Sequence, residues 1–234
     1  MPVTRLDLLG RFALECDSDS IGVPVGVQRL LAFLALRGPC NRHNVAGTLW
    51  PEVTDAQALA SLRTCVWRLN KALPGLMDPC GPALALSDFV EVDSQEQEAF
   101  ASALLNHERD DLEWLTAHLP LLRGGELLPG WYDDWVILER ERLNQLRLHA
   151  LELAATRLTQ CHELDLALLL ALEAVRTEPL RETANAALMS VYLAEGNVSD
   201  AVHQYDVFRD VLQRELALEP SPQLARLLPR QRRS

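Results

Sequence analysis

A spacing of 34 residues between two sets of small and aromatic side chains is the feature that most constrains the fold. The first set is Ala167, Ala171 and Ala174, and the second, 34 positions later, is Ala201, Tyr205 and Phe208. Small residues at such positions let paired helices approach closely, and stacked pairs bury a core that no pair could bury alone. The spacing therefore predicts stacked helical hairpins in the C-terminal part of the chain.

The whole stretch after Ser94 has helical rather than strand periodicity. Helices are predicted over residues 95–106, 110–122, 133–160, 164–177, 181–195 and 199–216. Pro179 follows the first alanine set, as the terminal proline does in a tetratricopeptide-like repeat, whereas His162 replaces the glycine usual at the turn inside the repeat. An ordinary helical bundle with chance alanines remains the alternative.

The N-terminal part mixes strands and helices. Residues 4–16 alternate polar and apolar side chains on either side of Gly10 and predict two short strands, and residues 23–27 can add a third. Helices are predicted over residues 27–37, 42–50 and 54–73, and two further strands are expected around Ser87 and Asp88 as a wing. The fold class is therefore mainly α, with an α+β winged helix before an all-α repeat domain.

The third of these helices has two distinct faces. Leu62, Val66 and Leu69 recur at helical spacing with Leu73 and form a stripe that must pack on a core. The opposite face carries small residues first and long cations later, as a helix in the major groove of DNA requires. A solvated polar face is the alternative interpretation.

Two segments resemble a known family. Residues 49–73, LWPEVTDAQALASLRTCVWRLNKAL, resemble the positioning and recognition helices of the Streptomyces antibiotic regulatory proteins. Residues 127–143, LLPGWYDDWVILERERL, resemble the opening of that family's bacterial transcriptional activator domain. In this segment we expect Trp131, Tyr132 and Trp135 to be buried between the helices at 110–122 and 133–160.

The resemblance implies a division into a winged-helix DNA-binding domain at residues 1–93 and an activator domain at 94–234. The DNA contacts expected from this resemblance together with the outward face of the third helix are Arg42, Arg63, Thr64, Trp67, Arg68, Asn70 and Lys71. Asn70 departs from the family pattern, which has an arginine there. The implied partners are double-stranded promoter DNA, a second copy of the chain on DNA, and RNA polymerase through its σ factor or the C-terminal domain of its α chain. We also expect residues 1–93 alone to keep some DNA binding.

Charge is distributed unevenly. Residues 1–93 carry a net charge of about −2 and the remainder about −9 of the total −11, yet four of the eight N-terminal cations lie between Arg42 and Lys71. DNA affinity depends on where cations sit, so this cluster fits a DNA-binding surface. The acidic remainder is expected to face protein.

Motifs of catalysis and cofactor binding are lacking in the sequence. There is no HExxH, GxSxG, Walker or GxGxxG pattern, and the five cysteines never form CxxC. The sequence thus predicts a protein that is not an enzyme and has no cofactor, no metal ligands and no membrane partner. It is expected in the cytoplasm, because no apolar run reaches the roughly 18 residues that a span needs.

Two other classes of protein remain open. In the first, Asp88 and Glu91 in the wing and Asn70 in the third helix signal a degenerate winged helix, and the repeats act as a protein-interaction adaptor. In the second, the repeats hold a small molecule or peptide, and the chain is a ligand-responsive sensor.

Overall fold

The structure is a computed structural model that describes residues 3–78, 83–109 and 111–229. It is mainly α, as the sequence predicted. Contacts divide the chain into two compact units. The first consists of Met1–Ala99 and Arg123–Asn144, and the second of Phe100–Leu122 and Gln145–Ser234. This division differs from the boundary expected after residue 93, because residues 123–144 pack within the first unit.

The first unit begins with short strands and continues with three helices. In chain order these are β1 (Thr4–Asp7), β2 (Ala13–Cys16), β3 (Asp19–Ser20), α1 (Val25–Arg37), β4 (Cys40–Asn41), α2 (Arg42–Leu49) and α3 (Asp55–Ala72). The elements that follow are β5 (Met77–Asp78), β6 (Ala83–Leu86), β7 (Val90–Val92) and the start of α4 (Asp93–Leu105). The prediction of a third strand at residues 23–27 was wrong, because Pro24 caps the start of α1 and Val27 is buried as part of that helix.

Two small sheets frame these helices. One has the strand order β3-β2-β1-β7, in which β1 runs antiparallel to β2 and parallel to β7. The other has the order β4-β6-β5. The two-stranded hairpin that can serve as the wing is therefore formed by β5 and β6. Residues 79–82, which lie between these strands in the sequence, are outside the described residues. The prediction that the wing turns at Ser87 and Asp88 was wrong, because β6 and β7 belong to different sheets.

Residues 123–144 complete the core of the first unit. Leu127, Leu128, Trp135, Val136 and Leu143 are all buried in the same cluster as the apolar faces of α1 and α3. Backbone bonds join the segment to the end of β1, where the Leu128 amide donates to the Leu8 carbonyl at 2.8 Å. A fragment ending at residue 93 therefore lacks part of its own core.

The aromatic corner packs differently from our expectation. Trp135 is buried and meets Phe33 of α1 edge-on at 5.3 Å between ring centroids, and half-buried Trp131 stacks on Phe12 at 6.0 Å. Tyr132 is 81% exposed, so the prediction that it is buried was wrong. The partners of the corner come from the loop between β1 and β2 and from α1, which local sequence patterns could not reveal.

The second unit is helical throughout its described residues. It contains the end of α4, then α5 (Leu112–His118), a 3₁₀ turn at Leu119–Arg123, the later part of α6 (Asp134–Gln160), α7 (Leu164–Thr177), α8 (Glu182–Ala194), α9 (Val198–Leu216) and α10 (Pro222–Leu227). The predicted boundaries of α7 were confirmed, and those of α6, α8 and α9 were right to within a residue. The short helix α10 was not predicted; Ser221 caps it and Pro222 is its first residue.

The repeat inferred from the 34-residue spacing is present. Ala167, Ala171 and Ala174 of α7 are fully buried, and Ala201 and Phe208 of α9 are buried in turn. The turn before each of these helices also repeats at the same spacing. His162 adopts a left-handed φ of 60° where Gly196 has 83°, and each is followed by an amide that bonds back to the preceding helix, from residue 163 to Leu158 and from residue 197 to Tyr192. A histidine thus holds the conformation that a glycine adopts more readily.

None of the helices formed by the described residues is long and apolar enough to cross a bilayer.

Candidate nucleic-acid interface

Caps fix where the two helices of the candidate interface begin. The Asn41 side chain accepts a hydrogen bond from the Asn44 amide at 2.8 Å, which sets Arg42 as the first residue of α2. At α3, Thr54 and Gln57 form a capping box, in which the Gln57 side chain accepts from the Thr54 amide at 3.2 Å. The sequence offers Asn41 as the cap of the second helix and either Thr54 or Asp55 as the cap of the third, and the structure selects Asn41 and Thr54.

The inner face of α3 is held by the core of the first unit. Ala58, Leu62, Cys65 and Leu69 are buried at helical spacing. Burial raises the pKa of the Cys65 thiol, although nearby Arg68 acts in the opposite direction. Because this face is anchored to α1 and α2, the opposite face is presented as a rigid surface.

The outer face carries the residues that the sequence singled out. All seven predicted DNA contacts are exposed: Arg42, Arg63, Thr64, Trp67, Arg68, Asn70 and Lys71. Six of them lie on α3, and Arg42 begins α2, which packs against α3. The structure therefore brings this set onto exposed surface of neighbouring helices.

The cations of this surface have no carboxylate partner in the part of the chain that the structure describes. Among the described residues, no ion pair involves Arg42, Arg63, Arg68 or Lys71. Several other arginines of the first unit are paired within the described structure, for example Arg29 with Asp133 and Arg37 with Glu139. The positive charge on the outer face of α3 is thus available to an anion from outside the chain.

Two side chains on the outer face have defined local contacts. The Lys71 ammonium lies over the Trp67 ring, 5.4 Å from its centroid, while Trp67 itself is 61% exposed. This cation–π contact restricts both long side chains. The Thr64 hydroxyl donates to the Ala60 carbonyl at 3.0 Å, so its donor is used within the helix.

The acidic residues expected at the wing tip lie elsewhere. Asp88 is in the turn that joins the two sheets, and Glu91 lies on β7, where it approaches Arg5 at 3.9 Å. Neither residue belongs to the β5–β6 hairpin. The acidic wing was the main sequence argument for a degenerate winged helix, and its placement removes that argument.

The structure and the site together define a class of protein: a winged-helix unit with an exposed cationic helix, joined to a unit of tetratricopeptide-like helices. The bacterial transcriptional activator domain matches residues 88–230. The chain therefore belongs to the family that carries this domain, that of the Streptomyces antibiotic regulatory proteins.

Curated relatives are similar along nearly the whole chain. The regulatory protein AfsR of Streptomyces coelicolor is 33% identical, in a match covering 97% of this chain and 24% of AfsR. AfsR of Streptomyces griseus is 32% identical, over 90% of this chain and 22% of that protein. The chain thus spans about a quarter of the length of these relatives.

A solved structure shares the fold. Mycobacterium tuberculosis EmbR, determined in complex with a low affinity phosphopeptide, superimposes with a TM-score of 0.75 at 20% identity. The match covers 97% of this chain and 64% of EmbR. At this identity the likeness supports the fold alone.

Proposed function

We propose that the chain is a sequence-specific DNA-binding transcriptional activator in which α3 enters the major groove of promoter DNA. The observation that carries the proposal is the outer face of α3, where Arg63, Arg68 and Lys71 are exposed and have no carboxylate partner in the described part of the chain. Arginine and lysine on such a helix reach guanine edges and phosphates. Membership in a family of transcriptional regulators supports the same function.

Each residue of the surface has a role in this proposal. Arg68 and Arg63 read base edges or hold phosphates, and Arg42 at the start of α2 contacts the backbone. Thr64 and Trp67 offer apolar surface that suits a thymine methyl group. Asn70 and Lys71 lie at the C-terminal end of α3, where Lys71 neutralises a phosphate.

The helical unit is proposed to contact RNA polymerase through the σ factor or the C-terminal domain of the α chain. Residues 94–234 carry about −9 of the net charge, which disfavours DNA and suits a basic protein partner. Leu169 and Leu172 of α7 are 52% and 42% exposed, so apolar surface is available beside this charge. A homodimer on adjacent DNA half-sites and a cytoplasmic location complete the proposal.

The functional boundary after residue 93 also remains a proposal. Residues 123–144 follow it in the sequence but serve the fold of the first unit. We therefore assign DNA binding to residues 1–93 and their structural support to residues 123–144.

The test is a gel shift of the full chain on DNA from upstream of the neighbouring genes, with competitor DNA and a salt series. Arg63→Ala combined with Arg68→Ala should abolish the specific complex, because both cations leave the same face of α3. Arg11→Ala is the matched control: Arg11 is exposed in the same unit and lies in the loop between β1 and β2 rather than on α3. A parent chain that never forms a specific complex would favour the adaptor, and equal losses in the double variant and in Arg11→Ala would reject α3 as the reader.

A further inference from the structure

Three large apolar side chains of the first unit are exposed close together at the start of α6. Tyr132 is 81% exposed, Leu138 66% and Ile137 44%. The other exposed large apolar side chains described in this unit are spread over separate elements and loops: Val3, Val25, Val53, Trp67 and Phe89. Single apolar side chains on a surface are ordinary, whereas a cluster of them marks an interaction site.

Helical geometry places the clustered side chains on one strip of surface. The Asp133 carbonyl accepts a hydrogen bond from the Ile137 amide at 3.1 Å, so Asp133 caps α6. Tyr132 and Ile137 therefore hold the two positions that neighbour each other in a hydrophobic staple. Ile137 and Leu138 come three and four residues after Asp134, so they share one helix face with it. We call Tyr132, Ile137 and Leu138 the α6 stripe.

The opposite face of the same turns anchors the α6 stripe. Trp135 and Val136 are buried in the core of the first unit. Arg140 holds the segment before the helix by donating to the carbonyls of Leu127 and Leu128 at 2.8 and 2.7 Å. The stripe is therefore displayed by a fixed backbone, and a partner need not pay for ordering it.

Acidic side chains border the α6 stripe. Asp134 is exposed at its start and forms no ion pair in the described structure, and Glu141 is exposed about one turn beyond Leu138. The two arginines on these turns are already paired within the unit: Arg140 with Glu126, and Arg142 with Glu98 and Glu139. The surface is thus apolar at its centre and negative at its border.

This charge pattern discriminates between possible partners. Carboxylates at both ends of the stripe repel the phosphates of DNA and the headgroups of an anionic lipid surface. A symmetric contact pairs the same patch with itself, so two copies of the chain meeting here would oppose carboxylates to carboxylates. A protein segment whose apolar residues are flanked by lysine or arginine complements both the centre and the border.

We propose that the α6 stripe is the docking site of a basic amphipathic helix from a partner protein. Two turns of α6 present side chains at spacings of three and four, which is the ridge against which another helix packs. The apolar face of the partner helix covers the stripe, and its cations face Asp134 and Glu141. The proposal does not depend on DNA binding, because the stripe lies on α6 and not on the outer face of α3.

The experiment uses the full ¹⁵N-labelled chain without DNA and a short synthetic helical peptide with leucine along one face and lysine on the other. We expect saturable binding, with the largest amide shift changes at residues 132–141 in an NMR titration. Two control peptides separate the contributions of apolar contact and charge. A peptide with serine in place of leucine, and one with glutamate in place of lysine, should both fail to saturate.

Variants of the chain locate the contact. Leu138→Ser and Tyr132→Ser should each weaken binding of the leucine-lysine peptide about tenfold in calorimetry, because each removes apolar surface that the peptide covers. Leu216→Ser is the matched control: Leu216 is 52% exposed at the end of α9, and its loss should leave affinity unchanged. Asp134→Asn should weaken binding about threefold at low salt and less at high salt. Asp165→Asn removes an exposed carboxylate from α7 and should have no effect.

Several outcomes would overturn the proposal. They are the absence of saturable binding, shift changes centred outside the stripe, and equal affinity in the parent and in the folded variants of Leu138 and Tyr132. Dimerisation of the parent in sedimentation that is lost in Leu138→Ser would make a second copy the occupant and would also reject a basic helix. All of these measurements are made without DNA, so the docking site and the proposed DNA-binding function can fail separately.

Discussion

Arginines in two regions of this molecule have opposite surroundings. On the outer face of α3, Arg63 and Arg68 are exposed and no described carboxylate approaches them. In the helical unit, Arg147 is 7% exposed and pairs with Glu173, and Arg181 pairs with Glu152 at 2.6 Å. In the described structure the same side chain is thus available to an external anion in one region and takes part in internal packing in the other.

This contrast matters because the chain carries a net charge of −11. Carboxylates are abundant enough to neutralise most arginines, so a group of cations without partners on one helix face is informative. Arg11 is also unpaired in the described structure, but it lies in the loop between β1 and β2 rather than on a helix face with other cations. Clustering on a rigid helix therefore distinguishes the candidate interface from scattered surface charge, and the following experiments test that distinction.

The largest effect is expected from removing residues 123–144. A fragment of residues 1–93 loses five buried side chains of its core, each contributing roughly 1.5–3 kcal/mol, against a typical total stability of ~5–15 kcal/mol. It should therefore show no cooperative thermal transition, whereas residues 1–144 should retain one. The measurement is circular dichroism with amide NMR dispersion. A well-folded 1–93 fragment would mean that the segment only covers a finished core.

The second effect concerns a buried arginine. The Arg147 guanidinium donates to the Leu122 carbonyl at 2.7 Å and to Glu173, so Arg147→Met should cost about 3 kcal/mol in urea unfolding. Arg176→Met removes the exposed partner of the same carboxylate and should change stability little. DNA affinity of the folded protein should be unchanged in both variants. Equal stability losses would show that burial is not what distinguishes the two arginines.

In the third variant we expect the opposite result from Arg147→Met: DNA affinity falls and stability is kept. Arg68→Ala should weaken specific DNA binding by about 1–3 kcal/mol if Arg68 reads a base edge, and stability should stay within about 0.5 kcal/mol of the parent. Competition with single base-pair changes in the site should show relaxed preference at one position. A variant that binds DNA as tightly as the parent would place recognition elsewhere.

Sequence reasoning succeeded where the signal is local. The caps at Asn41 and Thr54, the apolar stripe of α3 and the 34-residue spacing each depend on neighbours along the chain, and the elements they predict are present. Exposure of the six proposed contacts on α3 followed from the same periodicity, whereas Arg42 on α2 was proposed from the family resemblance. Their contact with DNA remains a prediction.

The failures involve pairing between distant segments. Whether a strand near Ser87 joins β5 or β1 depends on tertiary pairing, and alternation alone cannot choose. The packing of Trp135 on Phe33 joins residues about a hundred positions apart, so the sequence indicated an aromatic corner without its partner.

A fourth effect separates phosphate contacts from base contacts. Lys71 lies beside Trp67 near the end of α3, so we expect it to neutralise a phosphate. Lys71→Ala should weaken binding almost equally on all sequences and reduce the slope of log affinity against log salt by about 1. The control is Arg11→Ala, whose slope should match the parent. A change confined to one base position would instead make Lys71 a base reader.

The smallest effect is the change in stability at acid pH that comes from Glu173 and its arginine partners in the helical unit. The hydrogen bond from Arg176, and after it that from Arg147, lower the pKa of Glu173 despite partial burial. A carboxylate whose folded pKa lies below its unfolded value of about 4.5 stabilises the fold above that value and ceases to do so as pH falls through the folded pKa. The melting-temperature difference between the parent and Glu173→Gln should therefore be largest near neutrality and shrink below about pH 4.5. Variants of the outer face of α3, such as Arg68→Ala, should follow the parent curve, because Arg68 has no carboxylate partner in the described structure. A constant difference across the acid range would mean that Glu173 stabilises the unit through packing rather than through its charge.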